Sequence, residues 1–137
     1  MPYQLDWLVP KRIVLLKYQG TITETELHES DAALCRFYDE GDADAALIHQ
    51  ICILDGTSKT SLVQLTSLKW PKHPRNGWMI AIGKVNSIER IIGGFAAQLL
   101  KMRYRSANSL AEAVETLYRV DLTLPEATRP SVTSADL

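Results

Sequence analysis

The chain has 137 residues, 46% of them hydrophobic and 23% charged, with fifteen basic residues against sixteen acidic ones and a net charge of −1. That length suits one domain with a sizeable core, the composition is that of a folded globular chain, and the near-zero charge gives no global attraction to nucleic acid or membrane. No apolar stretch approaches the ~20 residues that span a bilayer, and no basic segment followed by a hydrophobic run stands near residue 1, so cytoplasmic residence is expected.

Tyr3-Gln4-Leu5-Asp6-Trp7 alternates large and polar residues, which predicts a half-buried strand through Leu8. Val9-Pro10-Lys11-Arg12 breaks the alternation, and Ile13–Tyr18 reads as a second strand, closed by Gly20. So short a connection implies an antiparallel hairpin. Thr23-Glu24-Thr25-Glu26 is a capping box, with Ile22 and Leu27 at the staple positions. The helix it opens is expected to run to about Tyr38, with Leu27, Leu34, Phe37 and Tyr38 on one face, and to stop at Gly41.

Residues 46–54 are apolar and β-branched at nearly every position, interrupted only by His49 and Gln50, which predicts a strand buried on both faces. Ser61-Leu62-Val63-Gln64 repeats the capping pattern and starts a short second helix that ends at Trp70-Pro71. Trp78–Ile82, between Gly77 and Gly83, is a further apolar strand. Asn86-Ser87-Ile88-Glu89 opens a third helix with Ile88, Ile92, Phe95, Leu99 and Met102 as its stripe. Tyr104-Arg105 suggests a very short fifth strand, and Ser109-Leu110-Ala111-Glu112 caps a fourth helix carrying Leu110, Ala113, Val114, Leu117 and Tyr118 on one side. From Asp121 the chain gathers Pro, Thr and Ser, so residues 1–120 are expected as the domain and 121–137 as a loosely ordered tail.

This order describes a hairpin feeding repeated β-α-β crossovers: an α/β fold with a mostly parallel mixed sheet of four to five strands and about four helices. A buried strand ending in Asp55, followed by Gly56-Thr57-Ser58-Lys59-Thr60-Ser61, delivers an acidic residue and a hydroxyl cluster to the carboxyl edge of such a sheet, where α/β folds usually place their sites. The pattern over roughly residues 3–120 resembles the STAS-like family, which includes anti-sigma-factor antagonists and SpoIIAA-like proteins and shares its fold with Sec14-type lipid-binding domains. The resemblance implies a non-catalytic regulatory or protein-interaction module with a protein partner. It also implies a phosphorylatable serine at the start of the helix after the third strand, usually within Asp-Ser-x-Gly. Here that stretch carries Asp55 with Ser58 and Ser61 in a different spacing, so Ser61 or Ser58 would take the phosphate, stabilised by the helix dipole and its free amides.

Each candidate has a plainer use. Ser61 is equally an N-cap, and Asp55 equally an acceptor holding the Gly56 turn. Trp70-Pro71-Lys72-His73-Pro74-Arg75-Asn76-Gly77-Trp78 mixes basic and aromatic residues as single-stranded nucleic-acid or headgroup binders do, and also reads as a rigid connector. Gly93 and Gly94 lower the propensity of the third helix. Close approach to the sheet would explain them, as would a self-association surface, giving a homodimer, or an apolar pocket wall formed by Ile91, Gly93, Gly94, Phe95, Ala97 and Leu99. The pocket belongs to a second functional reading, a carrier or sensor of a small apolar or lipid ligand. A third reading is an enzyme that combines Asp55 with a hydroxyl such as Ser61 and with His73. Histidines 28, 49 and 73 are too scattered for a metal motif, no cofactor signature is present, and Cys35 and Cys52 are expected reduced and buried.

Overall fold

The computed structural model describes residues 3–19, 23–41, 47–55, 68–83 and 103–130. Its framework is a mixed sheet of five strands, β1 (Tyr3–Val9), β2 (Ile13–Gln19), β3 (Ile48–Asp55), β4 (Asn76–Gly83) and β5 (Arg103–Ala107), lying side by side in chain order. β1 and β2 are antiparallel, and β2, β3, β4 and β5 run parallel. Two α-helices are described, α1 (Glu24–Glu40) and α2 (Leu110–Val120). The expected second and third helices fall largely outside the described residues.

The hairpin turns through Val9-Pro10-Lys11-Arg12, closed by the Arg12 amide donating to the Val9 carbonyl at 3.0 Å. Pro10 sets the second position, and Lys11 takes the positive φ of 60° that a type II turn demands at its third. The register slips at Leu8, since Trp7 faces Val14 while Val9 faces Ile13. That bulge is why the alternation in the sequence stops after Trp7.

Strand alternation divides the apolar residues between two faces. On one face Val14, Leu16, Ile48 and Cys52 pack with Leu27, Leu34 and Tyr38 of α1 and with Leu68 and Trp70. On the other Ile13, Ile51, Ile80, Ile82 and Ala107 pack with Leu110, Ala113, Val114 and Leu117 of α2. Thr23 caps α1 as expected, its hydroxyl accepting from the Glu26 amide at 3.1 Å, but the Glu26 carboxylate accepts a hydrogen bond from the Thr23 hydroxyl at 2.8 Å instead of from a backbone amide. Ser109 caps α2 by accepting from the Glu112 amide, and the Glu112 carboxylate accepts from the Asn108 amide at 2.9 Å.

Residues 121–130 were expected to be loosely attached. Instead Leu124 is buried in the α2-side core, the Tyr118 hydroxyl donates to the Pro125 carbonyl at 3.0 Å, and Asp121 is bonded to the sheet. Their Pro, Thr and Asp residues make local turns, such as the 3-10 turn Glu126–Thr128, which carry no apolar period to read. Residues 131–137 lie outside the described residues.

Candidate functional site

β3 is the middle strand, hydrogen-bonded to β2 on one side and β4 on the other. Its last residue, Asp55, pairs in register with Gln19, and Leu54 pairs with Gly83, so three parallel strands end together there. Gly56, Thr57, Ser58 and Ser61 lie outside the described residues, as do Ile91, Gly93, Gly94, Phe95, Ala97 and Leu99. On the α1 side of this end, Tyr18 and Ser30 share a hydroxyl hydrogen bond of 2.7 Å, and Ser30 donates to the Leu27 carbonyl at 2.8 Å. Burial raises the Tyr18 hydroxyl pKa and pushes the Cys52 thiol up to about 12, so both stay protonated at neutral pH. Asp31 is buried with its carboxylate accepting the Lys69 and Trp70 amides at 2.9–3.0 Å, which assigns it to holding the turn before β4.

His73 stands at the other end of the sheet. It precedes β4, whose first residue pairs with Ile48 at the start of β3, while Asp55 closes β3 seven residues further on. At ~3.3 Å per residue the strand separates them by about 23 Å. A catalytic arrangement that uses both Asp55 and His73 is therefore not formed. His73 instead lies 2.8 Å from the Asp39 carboxylate through Nε2 and accepts the Arg75 amide at Nδ1. Arg75 in turn donates to the carbonyls of Tyr38 and Gly41, closing the carboxyl end of α1. The two indoles flanking this loop do not share a surface: Trp70 packs in the α1-side core, and Trp78 lies against the α2-side core under the Arg105 guanidinium, 5.1 Å from its ring.

The most concentrated polar cluster was missed in the sequence. His49, 1% exposed, points to the α2 side, its Nε2 2.7 Å from Asp121 Oδ2 and its Nδ1 accepting the Trp78 amide at 2.9 Å. Asp121 Oδ2 also receives Arg12 at 3.3 Å, while Oδ1 receives the Thr123 amide and hydroxyl. Arg12 further donates to the Thr123 carbonyl at 3.0 Å and hydroxyl at 2.7 Å. Burial lowers the His49 pKa, the Asp121 hydrogen bond opposing it. For Asp121 burial pushes upward, but hydrogen bonds from Thr123 and His49 outweigh it and bring the carboxyl to about 2. The available signal was His49-Gln50 inside an apolar strand, because buried polar side chains require partners. Gln50 has one in Tyr38, whose hydroxyl is 3.5 Å away and also donates to Asn76 at 2.9 Å.

No family model matches the chain, and searches of curated proteins and of solved structures return no match. Among the described residues, no group of three or more His, Cys, Asp or Glu side chains is placed to hold a metal ion, and no helix is long and apolar enough to cross a membrane. Asp55 and the Arg12–His49–Asp121 network thus stand at opposite ends of the sheet. At the carboxyl end the described backbone of β3 stops at Asp55; the amino end holds a closed network whose donors and acceptors mostly bind one another.

Proposed function

We propose that the chain is a non-catalytic, cytoplasmic protein-interaction module of the STAS/SpoIIAA-like kind, recognising a protein partner through Asp55, Gly56, Thr57, Ser58 and Ser61. The observation that carries the reading is the position of Asp55 at the carboxyl end of the middle strand, between the ends of β2 and β4. The chain leaving that point follows Leu54, whose backbone is paired with both β2 and β4, and recognition segments work best on rigid supports. The order of described elements, an antiparallel hairpin, a helix and then parallel strands, is compatible with the chain order on which the STAS resemblance rests.

A phosphate on Ser58 or Ser61 would add about −1.5 to −2 charges to such a surface and switch the partner off. The test is co-purification from the native host with the wild-type chain, Ser58→Asp and Ser61→Asp, with thermal unfolding run in parallel. The proposal predicts a partner held by the wild type and lost from at least one aspartate variant whose melting temperature is unchanged. Retention of every partner by both variants contradicts it.

A further inference from the structure

We propose that residues 121–124 form an acid-released clasp over the amino end of the sheet, closed by Arg12 and a neutral His49 and opened when a second proton is forced onto the His49 ring. The bonding pattern fixes where that proton goes. A backbone amide only donates and an ionised carboxylate only accepts, so His49, with Nδ1 on the Trp78 amide and Nε2 on Asp121, carries its single hydrogen on Nε2. The second proton must enter at Nδ1, where it meets the Trp78 N–H instead of an acceptor. Gly77 closes off the same side, for a Cβ there would fall on Nδ1 and Cε1 of the ring.

Charge counting points the same way. The charged groups facing His49 are Asp121 beyond α2, Arg12 from the hairpin turn and Arg103 from β5. The Asp121 carboxylate already serves the Arg12 guanidinium, and both of its oxygens are engaged. An imidazolium would be a third cation in a site 1% exposed. Asp121 occupies the Nε2 side of the ring, and the segment that carries it is held by the Arg12–Thr123 hydrogen bonds and by the buried Leu124. Opening also hydrates Arg12, whose Nε is buried without a hydrogen-bond partner in the closed form. Lifting the clasp would uncover the apolar patch that Leu124 shares with Val9, Ile13 and Leu117.

The experiment is amide exchange by NMR on the full-length wild-type chain at about pH 7.5 and about pH 5.5, expressed as protection factors so that the intrinsic pH dependence of exchange cancels, with the His49 imidazole followed by its carbon shifts. Protection of the Asp121 and Trp78 amides should fall at least about tenfold in step with His49 protonation, while Leu15 and Leu16 in the β2–β3 ladder keep theirs. The proposal is overturned if His49 protonates with those amides still protected, if protection is unchanged across the range, or if all amides lose protection together. His49→Gln, which does not titrate and keeps a donor for Asp121, should abolish the pH response; should that variant fail to fold, the wild-type titration alone decides.

Discussion

Gly77 and Trp78 together oppose His49 where the β3–β4 register slips between Ile48 and Gln50, and this bulge aims the Trp78 amide at the imidazole. A Cβ at residue 77 would land on the ring and on the Ile48 carbonyl. Gly77→Ala should therefore cost about 1–3 kcal/mol, the usual range for overpacking a filled site. Gly41→Ala is the comparison: its Cβ meets Cδ1 and Cγ1 of the buried Ile48 side chain at 2.6 and 2.8 Å but no ring, so the loss should be smaller if an aliphatic chain yields more readily than the hydrogen-bonded imidazole. Urea unfolding of both variants measures the difference, and equal losses would show that the imidazole is free to move. The same network sets two pH windows. Because the folded-state pKa of His49 is lowered, its contribution to stability is present above the ordinary value of 6.5 and declines as pH falls below it. Asp121, lowered from 3.8 to about 2, contributes above 3.8, and that contribution is lost between those two values. Melting temperatures of the wild type should fall in both windows, and Asp121→Asn should remove the lower one.

At the scale of the element, α2 has only 11 residues, too few to persist without its cap and its packing on the sheet. Ser109→Ala should cost about 1 kcal/mol, read as a lower urea midpoint with an unchanged slope. Both described helices were legible because their caps and apolar stripes are local: Leu110, Ala113, Val114, Leu117 and Tyr118 are all buried, as their spacing predicts. On α1 the stripe showed Leu27, Leu34 and Tyr38 but concealed Ser30 and Asp31, also buried there. Their partners, Tyr18 and the amides of Lys69 and Trp70, come from other elements, and no local pattern announces such bonds. Strand positions were likewise legible from alternation and β-branching, while ends moved by a residue or two; β5 extends over Arg103–Ala107 because pairing with β4 organises residues with little apolar pattern of their own.

For the molecule as a whole, the length of the sheet separates Asp55 from the Arg12–His49–Asp121 network. Asp55 was legible as a strand end, since an apolar run stopping at Asp-Gly is a local signal. The Arg12–His49–Asp121 network was not, because its members come from a turn, a strand and a segment past the last helix, more than 100 residues apart at the extremes. The separation gives the proposed function its sharpest test: amide exchange of the chain alone and bound to its co-purified partner, mapped along the sequence. New protection centred on residues 55–61, with the amides of Trp78 and Asp121 unchanged, is the predicted result. Protection confined to the amino end of the sheet, with residues 55–61 unaffected, would contradict the recognition surface proposed here.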